Sequence, residues 1–519
     1  MQHIFPATRL FLPRSLQDLM HSCARPEDIP SLLETSSKEL PDFVPELSRL
    51  ELAQYTCSQS PQPQREGQSR QINPSLQMVS TSWTGLTALV EATKRGNRPD
   101  PQPGSENILI WKEPQKGQVV TKAATQDDFL ALKIAAEGLH PQSVALEHGL
   151  LPLALNSLLA RVEQEGLIIA PASSIVRDVA IVSPEQEWAW PQYARASVFT
   201  LQWHVTQACD LRCRHCYDRS QRRHMPWGQA LDVLDMFQAF CDHHHVQGQI
   251  TFTGGNPLLY PHFSSLYQEA SRRGFILAIL GNPAQPDIVN TLHTIQPLAF
   301  YQISLEGLQE HNDWIRGQGH FERSLHFLSL LQDLHIPSQV MLTLTRDNIH
   351  QILPLARKLR GRTERFTFNR LSAVGEGASL HLPDKETYTA FMQDYLEAAT
   401  EMPFLRLKDN LLNVQGWKEA GEVFGGCTGF GCGAAFNFIS LLPDGEVHAC
   451  RKFPSWIGTI QDSDLIDIYA GELAAGYRQG PVQCLGCSLR PVCGGCLAVI
   501  SSAGLDVHTD RDPYCPLWG

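Results

Sequence analysis

Three cysteines stand close together in the sequence Cys209-Asp-Leu-Arg-Cys213-Arg-His-Cys216, directly after a run typical of a β-strand. Three thiolates on one tight loop can bind three irons of a [4Fe–4S] cube, because such clusters are held by cysteine thiolates. The fourth iron would then stay open for another ligand. A zinc ion ordinarily needs a fourth protein ligand, and His215 is awkwardly placed for this beside Cys216. The spacing therefore predicts an iron–sulfur site.

Eight of the fourteen cysteines lie near the end of the chain, between Cys427 and Cys515. Eight thiolates suffice for two fully ligated [4Fe–4S] clusters, and they would equally satisfy two Cys₄ zinc sites. In a reducing compartment, thiols at such short spacings favour metal binding over disulfides. Cys23, Cys57 and Cys241 stand apart in helical contexts, and we expect small buried hydrophobic side chains there. The eight clustered positions are Cys427, Cys432, Cys450, Cys484, Cys487, Cys493, Cys496 and Cys515.

Composition narrows the class of protein. The chain has 519 residues, enough for several domains, and its 43% apolar fraction allows sizeable cores. A formal net charge of −12 argues against a general nucleic-acid binder. No apolar run approaches the roughly 18 residues of a membrane span, and the N-terminus lacks the apolar segment of a signal peptide. We therefore expect a cytoplasmic protein that does not bind membranes.

The elements that must position the first three cysteines form an alternating pattern. Six β-type runs are separated by helical stretches, which predicts an α/β fold with a parallel sheet, a partial (β/α)6 barrel. Chemistry gathers at the carboxyl ends of such strands. The runs cover residues 199–207, 249–255, 275–283, 300–307, 338–346 and 365–374.

The remaining sequence divides into further segments. Residues 1–57 have helical periodicity, and 58–82, rich in Gln, Ser and Pro, are typical of a linker. Residues 83–195 begin with a predicted hairpin followed by three helices. After the barrel at 196–415, residues 416–519 are rich in Gly and Cys with little periodicity. We expect something other than an apolar core to hold this last segment together.

The triad, the run TFTGGNP at 251–257 and the run SLEG at 304–307 resemble the radical S-adenosylmethionine (radical SAM) superfamily over about residues 199–375. This resemblance implies that the open iron of a [4Fe–4S] cluster binds SAM. It further implies one-electron reduction by a donor such as flavodoxin or ferredoxin. SAM is then cleaved to methionine and a 5′-deoxyadenosyl radical that takes a hydrogen atom from the substrate.

The resemblance also implies contacts with SAM. Asn256 stands where the family more often has Glu. The asparagine side chain keeps a hydrogen-bond acceptor but lacks the negative charge. Arg316 corresponds to the Arg that pairs with the SAM carboxylate, the alternative being a solvated loop residue. Leu371 corresponds to an apolar residue beside adenine, the alternative being plain core. The SAM-contacting set implied in this way is His215, Gly254, Gly255, Asn256, Ser304, Arg316 and Leu371.

The C-terminal cysteines resemble the SPASM extension of radical SAM peptide maturases, although two residues, rather than the usual three, separate Cys493 from Cys496. The resemblance implies an interleaved assignment that would staple the ends of the segment together. Auxiliary cluster I would take Cys427, Cys432, Cys450 and Cys496, and auxiliary cluster II would take Cys484, Cys487, Cys493 and Cys515.

A catalytic acid or base is not identified in the sequence. The sulfatase maturases of this family carry Asp after the third auxiliary cysteine, where this chain has Arg451, which argues against formylglycine formation. Glu306 and Glu376 are possible polar groups near the substrate, or structural carboxylates at strand ends.

The hairpin and helices at 106–170 resemble the PqqD-like elements that bind the leader of a precursor peptide as an added strand. A DNA-binding winged helix is the rival interpretation. The helix at 151–166 has one Arg, no Lys and two Glu, which is a poor phosphate-binding surface. We therefore expect a peptide partner and no nucleic acid.

The whole arrangement most resembles radical SAM–SPASM maturases of the thio(seleno)oxazole type. We expect an enzyme with three [4Fe–4S] clusters and SAM that modifies a ribosomally made peptide containing Cys or selenocysteine. One alternative is radical modification of a folded protein or a small molecule. Another is a zinc-ribbon regulator that binds DNA.

Overall fold

The computed structural model describes residues 3–36, 40–64, 69–93, 99–177 and 190–517. The chain divides into two compact units, Met1–Ala172 and Ser173–Gly519. The boundary therefore lies at residue 172, whereas the sequence pattern placed it at residue 195. Within the described ranges, no helix combines the length and apolar character needed to cross a bilayer.

The first unit is built around a three-stranded antiparallel sheet of order β2-β3-β4. Strand β3 buries side chains on both of its faces, because successive residues of a strand point to opposite sides of the sheet. Ile108 and Ile110 pack with the helices α2–α4, while Leu109 and Trp111 pack with α5–α7. The predicted hairpin is present as β3 paired with β4. The bounds in this unit are α1 Arg14–Ser22, α2 Ile29–Thr35, α3 Val44–Gln59, β1 Gln71–Ile72, β2 Gln77–Thr84, α4 Leu86–Thr93, β3 Gln102–Lys112, β4 Val119–Ala123, α5 Gln126–Glu137, α6 Pro141–Glu147, α7 Pro152–Gln164 and β5 Ile168–Ile169.

Two of the expected segments are corrected by this arrangement. The N-terminal helices are not a separate domain, because Leu47 and Leu50 share one core with Ile108 and Ile110. The linker predicted at 58–82 contains most of strand β2, which pairs with β3. This strand was not predicted from the sequence because the segment is rich in Gln and Ser. Only one face of β2 is turned to the core, so the strand does not need a continuous apolar run.

The second unit holds a nine-stranded sheet of order β11-β10-β9-β8-β7-β6-β12-β13-β14. All six predicted strands are present as β6–β11 and run parallel in chain order, which makes the partial barrel. The bounds are β6 Val198–Thr206, α8 Trp227–His244, β7 Gln247–Gly254, α9 Phe263–Arg272, β8 Ile276–Leu280, α10 Pro286–Ile295, β9 Phe300–Ser304, α11 Gln309–Arg316, α12 His320–Asp333, β10 Ser338–Leu344, α13 Ile352–Leu359, β11 Arg365–Arg370, α14 Lys385–Glu401, α15 Leu411–Ala420, β12 Phe438–Leu441, β13 Glu446–His448, β14 Trp456–Thr459, α16 Leu465–Ala470, α17 Glu472–Gln479 and α18 Leu497–Ser502.

The C-terminal segment has an apolar core, contrary to expectation. Strand β12 pairs in parallel with β6 and so extends the barrel sheet. Phe436, Ile439, Val447 and Ile500 are buried in the same core as the barrel. The strands and helices of this segment are short and leave no long periodic run in the sequence, which is why the core was not predicted.

The two faces of the barrel strands differ in polarity. Trp203 stacks on Phe252, which packs against Phe263 of α9, so this face is turned to the helices. Side chains one position along the strands point to the other face, inside the curved sheet. The inner face carries mostly polar side chains, namely Gln202, His204, Thr251, Thr253, Gln302, Ser304, Gln339, Thr343, Thr367 and Asn369.

Candidate iron–sulfur and SAM site

The three cysteines of the triad lie on the loop directly after β6. Cys209 is exposed, and Cys213 and Cys216 are half-buried. The loop is held by its own backbone, since the Cys216 amide donates to the Cys213 carbonyl (3.2 Å) and the Leu211 amide donates to the Cys209 Sγ (3.4 Å). Burial raises the pKa of each thiol, and the charge of another thiol in the triad raises it further. Bound iron would oppose this by stabilising the thiolates.

The donor atoms of the cysteine loop bear on which metal group it suits. A single zinc ion needs ligand atoms within about 2.0–2.3 Å of one point. Among the residues that the structure describes, no three His, Cys, Asp or Glu side chains are arranged in that way. A four-iron cube takes one thiolate at each iron, so its ligands stand farther apart. The triad supplies three thiols from one loop, which is the donor set that three irons of such a cube take.

A buried ion pair lies against Cys213. Arg316 donates from Nε (2.8 Å) and Nη2 (2.6 Å) to the Glu306 carboxylate, and its Nη1 is 3.7 Å from the Cys213 Sγ. The His215 Nε2 is 2.8 Å from the same Glu306 oxygen. Although burial opposes ionisation, the charges of His215 and Arg316 hold the pKa of Glu306 well below its usual range. Arg316 is thus not the solvated loop residue that was the alternative, as its side chain is 11% exposed.

The glycines after β7 allow two loops to approach closely. A Cβ on Gly254, whose φ is +129°, would clash with the Thr206 carbonyl oxygen, and one on Gly255 would clash with the Ala208 carbonyl oxygen. The amides of Gly255 and Asn256 donate to these same two oxygens (3.0 and 2.7 Å). The end of β7 is thereby fastened to the beginning of the cysteine loop.

Two asparagines meet an acidic residue of the cysteine loop. Asn256 and Asn282 both donate through Nδ2 to the Asp210 Oδ1 (3.0 and 2.6 Å). The Asn282 Nδ2 is also 3.7 Å from the Cys209 Sγ. Sequence analysis identified neither Asp210 nor Asn282. Asn282 stands two residues after the end of the third barrel strand, so its place near a strand end was a usable signal.

The last two predicted SAM contacts lie at strand ends farther round the barrel. Ser304 is the final residue of β9, half-buried on the inner face, and Leu371 follows β11 and is buried. Leu371 does not belong to the main apolar core around the barrel. The loop that follows it reaches the triad, since the Glu376 amide donates to the Cys216 carbonyl (2.9 Å).

An inward-facing histidine lies near the triad on the first barrel strand. His204 is buried, and its Nδ1 has no hydrogen-bond partner among the described residues. Burial, reinforced by the charge of Arg451, lowers the pKa of His204 to about 3. Arg451 itself pairs with Asp218 and lies 5.6 Å from the Tyr217 ring. His204 is accordingly a neutral imidazole at neutral pH.

Four of the C-terminal cysteines line one pocket. These are Cys484, Cys487, Cys493 and Cys515. Burial raises the pKa of Cys484 to about 11, and the charges of Cys487 and Cys515 add to the shift.

The other four C-terminal cysteines come from separate parts of the chain. Burial raises the pKa of Cys450 to about 12, and Cys427 and Cys432 contribute through their charges. Asn410 joins a further loop to this group: its Oδ1 accepts from the Cys427 amide (2.8 Å) and its Nδ2 donates to the carbonyl of Gly495 (2.5 Å), beside Cys496.

Residues 203–359 match the sequence profile of the radical SAM superfamily. They form a radical SAM domain. The chain is therefore an enzyme with a radical SAM domain, and such domains use SAM and a [4Fe–4S] cluster, for which the triad loop has thiol donors.

The chain is also similar to whole proteins that carry this domain. It is 26% identical over 342 residues to an AdoMet-dependent heme synthase of Methanosarcina barkeri, covering 60% of this chain and 95% of that protein. It is 27% identical over 337 residues to the mycofactocin maturase MftC of Mycolicibacterium smegmatis, covering 61% of this chain and 82% of that protein. The structure of Streptococcus suis SuiB bound to its precursor peptide SuiA superposes with a TM-score of 0.50 at 16% identity, over 79% of this chain and 96% of SuiB. The fold of SuiB is thus shared.

Proposed function

We propose that the chain is a cytoplasmic radical SAM maturase that modifies a ribosomally synthesised peptide containing Cys or selenocysteine. The observation that carries this proposal is the combination of two features in one chain. A cysteine loop opens onto a barrel whose inner face is polar, and a separate unit carries an antiparallel sheet with two edge strands, β2 and β4. A polar inner face suits a peptide backbone, which needs hydrogen-bond partners wherever it is buried.

Cys209, Cys213 and Cys216 would hold the SAM cluster. When bound and reduced, this cluster supplies the electron that cleaves SAM to methionine and a 5′-deoxyadenosyl radical. A flavodoxin or ferredoxin would deliver the electron. The residues proposed to hold SAM are His215, Gly254, Gly255, Asn256, Ser304, Arg316 and Leu371.

The geometry supports four members of this proposed SAM site, namely Arg316, His215, Gly254 and Gly255. Arg316 lies beside Cys213, where a carboxylate bound to the open iron would come within reach of a guanidinium. Glu306 orients Arg316 and His215 at once. The Gly254–Gly255 backbone leaves no side chain between the first two strand ends.

The eight C-terminal cysteines would hold two auxiliary [4Fe–4S] clusters. Auxiliary cluster I is supported by Asn410, which links the loops of Cys427 and Cys496. It is also supported by the charges of Cys427 and Cys432, which raise the pKa of Cys450. Support for auxiliary cluster II is the common pocket of Cys484, Cys487, Cys493 and Cys515.

The N-terminal unit would bind the leader of the precursor peptide along an edge strand of its sheet. Main-chain hydrogen bonds of such an added strand give affinity without a conserved side-chain chemistry. MftC is named as a maturase, and SuiB was captured with its precursor peptide, which supports the same substrate class here.

A second candidate is modification of a small molecule, and the similarity to a heme synthase favours it. The inner face of the barrel favours the peptide, because a porphyrin would bury a large apolar ring against side chains that are here mostly polar.

The test is anaerobic reconstitution followed by assay. We expect about twelve irons per chain and, with SAM and dithionite, 5′-deoxyadenosine. A peptide encoded beside the gene should then lose or gain a defined mass. A colourless protein that holds zinc and less than one iron would contradict the radical SAM assignment. Equal turnover of a leaderless peptide would contradict leader binding.

A further inference from the structure

A fully buried arginine joins the last barrel strand to the C-terminal cysteines. Arg370 ends β11, and its side chain has no exposed surface. It donates from Nε to the Asp409 Oδ2 (2.8 Å), and from Nη1 and Nη2 to the two Asp512 oxygens (2.9 and 2.6 Å). The rings of Tyr388 and Tyr514 lie 5.2 and 5.6 Å from its guanidinium carbon.

Asp512 also holds the loops of two cysteines. Its Oδ2 accepts from the Cys496 amide (2.9 Å) and its Oδ1 from the Tyr514 amide (3.0 Å). The Cys515 amide donates to the Asp512 carbonyl (3.0 Å). Asp512 therefore touches one cysteine assigned to auxiliary cluster I and one assigned to auxiliary cluster II.

Asp409 is a natural comparison within the same group. Asp409 pairs with the same guanidinium. Its Oδ1 accepts from the amide of Leu411 (2.9 Å), which is the first residue of α15 and does not belong to a cysteine loop. The two carboxylates thus share a partner and differ in what else they touch.

Buried charges act strongly on a nearby redox group, because the interior screens them weakly. Reduction adds an electron to a cluster. A carboxylate next to the ligand loop therefore disfavours the reduced state, and a guanidinium favours it.

We propose that Arg370 and Asp512 are positioning residues that fix the two auxiliary ligand loops and shift the reduction potentials of the auxiliary clusters in opposite directions. This inference rests on the proposed function, since it requires both auxiliary clusters. Asp512, which touches both loops, acts on both clusters. Arg370 acts mainly on the cluster that includes Cys496.

The experiment uses the full-length chain with Cys209, Cys213 and Cys216 all changed to Ala, so that only auxiliary clusters report. Reduction potentials are measured by EPR-monitored titration after anaerobic reconstitution. We expect Asp512→Asn to raise both potentials and Asp409→Asn to raise them less. Arg370→Met should lower the potential of one cluster, and Arg370→Lys, which keeps the charge, should return it toward the parent value.

The outcomes separate the inference from the proposed function. A parent with no iron would overturn the auxiliary clusters themselves. A parent with about eight irons, whose potentials are the same in all four variants, would overturn the present inference alone. Equal shifts in Asp512→Asn and Asp409→Asn would do the same. Loss of iron from Asp512→Asn but not from Asp409→Asn would support the positioning role.

Discussion

The two groups of cysteines are positioned in different ways. The triad occupies eight consecutive residues, so the chain itself brings the three thiols onto one loop, to which Asn256, Asn282 and Glu376 add long-range hydrogen bonds. The octet is spread over the last fifth of the chain, and side chains distant in sequence, such as Asn410, join its loops. Local spacing therefore identifies the first group, whereas long-range hydrogen bonds assemble the second.

The substitution Cys213→Ala should have the largest effect, and it tests whether the triad and the eight C-terminal cysteines bind iron independently. Removal of one triad thiolate should abolish 5′-deoxyadenosine formation, because three thiolates are needed to leave one iron open. The octet should keep about eight of about twelve irons. Chromatography of the nucleoside and iron analysis measure the two effects. Cys241→Ala, which changes a buried cysteine outside both groups, is the control and should alter neither. Persistent 5′-deoxyadenosine in Cys213→Ala would contradict the assignment of the triad.

Glu306→Gln tests the charged groups around the triad. The change leaves the buried Arg316 without its anion, and breaking such a pair costs about 3–5 kcal/mol. Because the pKa of Glu306 is held low, its stabilisation is present above pH of about 4.3 and is lost as the pH falls further. Urea unfolding at several pH values should show that the difference in free energy of unfolding between the unchanged protein and Glu306→Gln becomes smaller as the pH is lowered. A difference that does not change with pH would contradict the ion pair between Glu306 and Arg316.

Gly254→Ala tests the fastening of β7 to the triad loop. The added Cβ would meet the Thr206 carbonyl oxygen at a positive φ, which should cost about 2–5 kcal/mol and weaken SAM binding. Gly228→Ala is the matched control. Gly228 lies in α8 with open space around a Cβ, so alanine there should stabilise by up to about 1 kcal/mol. Equal thermal shifts in the two variants would exclude the proposed close approach.

Asn410→Ala addresses the octet with the smallest expected effect on stability. Loss of the two bonds to the Cys427 and Gly495 backbones should cost about 1–3 kcal/mol and reduce iron occupancy by up to one cluster. The triad should be unaffected, so 5′-deoxyadenosine should still form without substrate. Asn290→Ala, on the exposed surface of α10, serves as control. If both variants bind iron equally, Asn410 does not position auxiliary cluster I.

Much of the fold was predictable because parallel strands alternate regularly with helices. All six barrel strands were found from their apolar runs. Strand β2 was missed because it has few apolar residues and two of its exposed positions, Ser80 and Ser82, are serines. The core of the C-terminal segment was missed because it is built from short elements that pack on the barrel.

By itself, the sequence determined the triad, the order of the barrel strands and the superfamily, since these depend on spacings within one loop or one strand. Only the tertiary structure decided the rest. It placed Glu306 within reach of both Arg316, at the end of α11, and His215, on the triad loop. It also brought Cys484, Cys487, Cys493 and Cys515 to one pocket and placed Asp512 at the loops of Cys496 and Cys515. The physical reason is that buried charges and polar side chains find their partners across the fold, and residue spacing carries no record of that pairing.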